Sequence, residues 1–100
     1  MATTLLSIQI LPRTPDGEGV YSYVDRAIDV IKASGLPYRV APLETTIEGE
    51  LAELLELVRQ MNEAMTELGC PSVISQIKLY HNPREGASMD RLLEHYPGGQ

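Results

Sequence analysis

The sequence predicts a single α+β domain over residues 1–100, with the element order β–α–β–β–α–β and a short helix at the end. Three observations predict it. Apolar and polar residues alternate with a period of two in Thr4–Ile10, Leu43–Glu48 and Ser72–Tyr80. Apolar residues recur at helical spacing in the stretches that begin at Val20 and Glu50. Glycine and proline mark the joints between these segments.

In the first strand Thr4, Leu6, Ile8 and Ile10 share one face and Leu5, Ser7 and Gln9 the other, with Pro12 expected to stop the run. Pro15, Asp16, Gly17 and Gly19 supply turn chemistry. Val20, Val24, Ala27, Ile28 and Ile31 form the apolar stripe of the first helix, and Asp25, Arg26, Asp29 and Lys32 face outward. Gly35 suits a left-handed cap, and Pro37 forbids continuation. Tyr38–Pro42 is a short extended piece that, since Pro42 lacks an N–H, belongs at a sheet edge or carries a bulge or corner there. Leu43, Thr45 and Ile47 then alternate with Glu44, Thr46 and Glu48.

Gly49 opens the second helix, with Glu50 and Glu53 at its positive end. Its expected stripe is Leu51, Leu54, Leu55, Val58, Met61, Met65 and Leu68, closed by Gly69 and Pro71. The last strand sets Val73, Ser75, Ile77 and Leu79 against Ile74, Gln76, Lys78 and Tyr80. A loop over His81–Ala87 leads to a short helix from Met89 to about His95, with Ser88 as N-cap and a tail containing Pro97, Gly98 and Gly99. This order is the split βαβ, ferredoxin-like signature. Right-handed crossovers give an antiparallel sheet ordered 4-1-3-2, with strands one and three central and both long helices on one face.

The opposite face is expected to lack a helix and to meet solvent, a ligand or another subunit. Alternation places Leu5, Ser7 and Gln9 there, beside Thr46 and Glu48 and alongside Ile74, Gln76, Lys78 and Tyr80. Hydroxyls, amides and a carboxylate among apolar groups suit a small polar or cationic ligand. The same residues also suit a plainly solvated sheet. Glu48 equally fits the start of the second helix, and Lys78 fits a cross-strand pair with Glu44 or Glu48.

Composition narrows the function. A hydrophobic share of 43% with 22% charged residues is ordinary for a globular domain, and no apolar run approaches a membrane span. Residues 1–10 carry no basic leader region, so a signal peptide is not expected and the location expected is cytoplasmic. Fourteen acidic against eight basic residues, a net charge of −6 and the absence of Trp and Phe argue against nucleic acid. Cys70 is alone and follows a helix end, which disfavours both a disulfide and an activated thiol. His81 and His95 lie too far apart to suggest a metal site, and no glycine-rich phosphate loop is present. Glu50, Glu53, Glu56, Glu63 and Glu67 read as a solvated helix face. No catalytic constellation is visible, so neither enzyme activity nor a cofactor is expected. With five Tyr as its whole aromatic content, a chain this short has a small core, and self-association would add burial.

Two stretches resemble a known family. They are Ser34-Gly35-Leu36-Pro37-Tyr38 and Ala41-Pro42-Leu43-Glu44-Thr45-Thr46-Ile47-Glu48-Gly49, followed by a long helix and a strand ending Ser75-Gln76-Ile77-Lys78. The pattern is similar to that of the YkoF-like thiamine-binding proteins, and the resemblance spans about residues 4–80. It implies a ferredoxin-like fold, dimers that pair into tetramers through their sheets, and binding of thiamine or a related hydroxymethylpyrimidine without chemistry. Thiamine is then a ligand rather than a catalytic cofactor. The matching motif carries a ligand role onto Thr46 and Glu48, while Ser7, Gln9 and Gln76 join them by sheet geometry. A carboxylate such as Glu48 would accept from the aminopyrimidine amine or balance the thiazolium charge. The family's acidic and basic run after the last strand is replaced here by His81-Asn82-Pro83-Arg84-Glu85-Gly86. The alternative is an oligomeric interaction or regulatory module with no small ligand: a cavity beside Glu48 favours binding, and a dry, filled sheet interface favours the alternative.

Overall fold

The structure is a computed structural model that describes residues 2–17 and 19–94. Its elements are β1 (Thr4–Arg13), α1 (Tyr21–Ser34), β2 (Tyr38–Val40), β3 (Thr45–Gly49), α2 (Leu51–Glu67), β4 (Ser72–His81) and α3 (Met89–Leu93). The sheet runs β2-β3-β1-β4, which is the expected order read from the other edge, and every pairing is antiparallel. This is the ferredoxin-like arrangement.

One face of the sheet meets α1 and α2. The side chains of Leu6, Ile31, Ile47, Leu54, Met61 and Met65 are fully buried between the layers. Leu6 stands opposite Ile47 and Leu79, so three neighbouring strands present apolar groups at one level. Gly35 ends α1 at φ 76, donating its N–H to the Lys32 carbonyl. Glu50 and Glu53 form a reciprocal capping box at the start of α2, in which Glu50 N donates to Glu53 Oε1 at 3.0 Å. Gly49 is buried opposite Thr4, and a Cβ there would stand 3.2 Å from Leu36 Cδ1, closer than most side chains tolerate.

Four expectations need correction. β1 does not stop at Pro12, which pairs with Val73 in a ladder that continues to Arg13. Beyond Ile8 the β3-facing edge of β1 is unpaired, so a residue without an N–H is tolerated there. The buried residues of α1 are Tyr23, Ala27 and Ile31, while Val20 is exposed. Those of α2 are Leu54, Leu57, Met61, Ala64 and Met65, and Leu55 and Leu68 face outward. Leu57 and Ala64 line the groove shared with Val30 and Ala33, so α2 turns its buried arc partly toward α1 rather than wholly toward the sheet.

The fourth correction is the largest. The second face of the sheet is not bare, because α3 folds back over part of it. The Ser88 side chain accepts from Arg91 N at 3.3 Å, the N-cap expected of it. The described helix covers Met89–Leu93; His95 and the tail with Pro97, Gly98 and Gly99 lie outside the described residues.

Candidate functional site

Between the sheet and α3 lies an open cavity of about 380 Å³, within the range of small-molecule sites. Leu5, Ser7, Thr46, Lys78 and Tyr80 form its floor with Arg39, and Met89, Leu92 and Leu93 its roof. Strand alternation explains the floor. Ser7 is paired with Thr46 on one side and Lys78 on the other, and Arg39 is paired with Thr46. Paired residues in a sheet share a face, so these four form one row across all the strands. Ser7 Oγ and Thr46 Oγ1 are 2.7 Å apart at the centre of that row.

The roof is held by named bonds. Glu48 Oε1 accepts from Met89 N at 2.7 Å, a charge-assisted bond to the first turn of α3. Glu48 is half-buried and its own N–H donates to the Pro37 carbonyl at 2.9 Å. Glu48 therefore serves the start of α3; the start of α2 is served by Glu50 and Glu53. Arg39 Nη2 pairs with Asp90 Oδ1 at 3.3 Å, and Arg91 Nη1 donates to the Glu85 carbonyl at 2.7 Å. The connection from β4 is shaped by Asn82, whose side chain accepts from Glu85 N and whose carbonyl accepts from Gly86 N, with Gly86 at φ 85. Ala87 N then donates to the Ala2 carbonyl, and His81 Nδ1 lies 2.7 Å from Thr4 Oγ1.

Charge on the floor is paired across β1. Lys78 Nζ lies 3.1 Å from Glu44 Oε1, the first of the two partners expected for it. The hydrogen bond from Lys78, and then one from Ser7, holds the Glu44 carboxyl below the ordinary carboxylate range. Among the described residues no three His, Cys, Asp and Glu side chains converge as metal ligands, and no helix is long and apolar enough to cross a membrane.

The five candidate residues separate into three positions. Ser7 and Thr46 meet at the cavity floor. Glu48 stands next to it, with one oxygen engaged by the roof. Gln9 borders a different hollow, between β1, α1 and the β2–β3 connection, and Gln76 is paired with Gln9 on exposed β4. Sequence reasoning missed Arg39 and the three apolar residues of α3. Its available signal was the 89, 92, 93 spacing, which requires some surface to cover it.

An antiparallel sheet with two helices behind it and a roofed cavity in front defines a ferredoxin-like domain whose candidate site lies on the sheet. The chain belongs to the thiamine-binding protein family, whose model matches residues 6–96. It is 38% identical over 96 residues to a UPF0045 protein of Clostridium perfringens, covering 96% of this chain and 99% of that one. A Bacillus cereus domain of unknown function has a solved structure that superposes with a TM-score of 0.89 at 35% identity, covering 97% of this chain and 92% of the other. A Thermotoga maritima protein provisionally assigned to thiamine biosynthesis or salvage superposes at 0.80 with 26% identity, covering 94% and 98%. The family is named for binding.

Proposed function

We propose that the protein binds thiamine or a related hydroxymethylpyrimidine, without chemistry, in the cavity between the sheet and α3. The observation that carries this is the paired Ser7 and Thr46 hydroxyls on the floor of a largely apolar chamber in a member of the thiamine-binding family. Leu5, Met89, Leu92 and Leu93 would exclude water from a flat heterocycle, and the two hydroxyls would match its donors and acceptors. Glu48 holds the roof through Oε1, and a carboxylate has further acceptor capacity for an aminopyrimidine amine. Gln9 and Gln76 extend the polar strip two residues farther along β1 and β4.

Assembly as a homodimer or homotetramer in the cytoplasm belongs to the same proposal, with neither nucleic acid nor membrane as partner. It is supported by β4, which pairs with β1 alone among the described strands and exposes Ile74, Ile77 and Leu79. That same surface favours the second reading, an interaction module without a small ligand. Calorimetric titration with thiamine and hydroxymethylpyrimidine separates the two. Saturable binding that weakens at least tenfold in Thr46→Val supports the first; no heat from either compound overturns it. Light scattering at micromolar concentration tests assembly, and a monomeric mass rejects it.

A further inference from the structure

We infer that the cavity prefers a phosphate monoester of its heterocyclic alcohol ligand over the unphosphorylated form, an inference that rests on the binding function proposed above. The chain carries fourteen acidic and eight basic residues, yet both charged side chains lining the cavity, Arg39 and Lys78, are basic. They are the two ends of the transverse row Arg39–Thr46–Ser7–Lys78, which the registers of β2, β3, β1 and β4 place on one face. Three strand spacings of about 4.8 Å set the ends of that row roughly 14 Å apart along the sheet. The row reads cation, hydroxyl, hydroxyl, cation. Such a row offers an anion donors along its whole length, whereas a bare thiazolium there meets two like charges.

The neighbouring carboxylates do not line the cavity. Glu48 stands beside the cavity rather than in its lining, and one of its oxygens is held by Met89 N. Asp90 pairs with Arg39 from outside the wall and is 88% exposed, whereas Glu44 is 32% exposed and takes bonds from both Lys78 and Ser7. The exposed Arg39–Asp90 pair is weak and is easily exchanged for a better acceptor, while at Lys78 an incoming anion competes with Glu44. Phosphate is that acceptor, because a guanidinium fork matches two of its oxygens and an ammonium a third. With Arg39 and Lys78 both reaching solvent, the preference should be moderate and should shrink as salt rises.

The test is calorimetric titration of the full chain with thiamine, thiamine monophosphate, hydroxymethylpyrimidine, its phosphate and inorganic phosphate, at low and high salt. The expected result is at least tenfold tighter binding of each ester than of its alcohol at low salt, with the ratio falling at high salt. Arg39→Gln and Lys78→Gln should each bring the ester-to-alcohol ratio toward one. Asp90→Asn should raise it, because it removes a competing carboxylate from Arg39. Alcohols that bind as tightly as their esters overturn the inference and leave the proposed function standing. Failure of both alcohols and esters overturns both. Inorganic phosphate binding as tightly as the esters also overturns the inference, since the heterocycle then contributes nothing.

Discussion

The two faces of one sheet are built from alternate residues of the same strands, yet they are held by different means. On the helix side Leu6 and Ile47 are sealed against Leu54, Met61 and Met65, all under 2% exposed. On the other side a five-residue helix covers part of the sheet, tied down by Glu48 to Met89 N and by the Arg39–Asp90 pair. Burial of whole side chains supplies kilocalories per residue, while each polar tie supplies about 1 kcal/mol or less unless it is charged and sheltered. The first face can therefore carry stability. The second is free to hold a cavity and to adjust around what enters it.

The largest expected effect lies on the sealed face. Leu54→Ala should destabilise the fold by about 2–5 kcal/mol, a large part of the total for a domain of this size. Denaturant titration would show it as a lower midpoint, and a loss under 1 kcal/mol would mean that the two faces are less different than their burial implies.

The next effect contrasts two glutamates two residues apart. Glu48→Gln should weaken thiamine binding by about 10- to 150-fold, the equivalent of a charge-assisted bond worth roughly 1.5–3 kcal/mol. Glu50→Ala, which removes the N-cap of α2, should instead cost about 0.5–2 kcal/mol of stability and leave affinity within twofold. Calorimetry and thermal melting of both variants would show whether the roles divide in this way. Equal loss of affinity in the two would break the distinction.

Smaller effects follow from charge. Glu44 titrates below its usual range because Lys78 and Ser7 bond its ionised form, so its contribution exists above the unfolded carboxylate pKa and disappears as pH falls through the lower folded value. Carboxyl-carbon NMR should find that low titration point in the parent and a return toward 4.5 in Lys78→Gln. The smallest effect is on the outer side of α2. Arg59 pairs with both Glu56 and Glu63, and bonds from Arg59 and then Gln60 hold Glu56 down to about 2. In Arg59→Gln the Glu56 carboxyl should titrate closer to the ordinary range, still lowered by Gln60, with little change in melting because the pair is exposed.

The fold was legible because its signals are local and repeated. The alternations at Thr4–Ile10 and Leu43–Glu48, with two helical stretches between the strands, leave few right-handed ways to close the sheet. The Thr46-Ile47-Glu48-Gly49 stretch was legible as a place where something is recognised or held. In the structure its four residues have four tasks: Thr46 faces the cavity, Ile47 the core, Glu48 the roof, and Gly49 lets Leu36 approach. The division of labour among them was not legible, since alternation puts Thr46 and Glu48 on one face without saying what covers either.

By itself, then, the sequence determined the elements, their order, the sheet topology and the family, because each depends on spacing along the chain or on the identity of neighbouring residues. Tertiary structure decided which arc of α2 is buried, that β1 continues through Pro12, and above all where α3 goes. Periodicity states that Met89, Leu92 and Leu93 need cover; only the three-dimensional placement of a half-open sheet and the Glu48 carboxylate beside it determines what supplies that cover. A helix of five residues has too few internal bonds to hold its own position, so its location is a property of the surface that receives it.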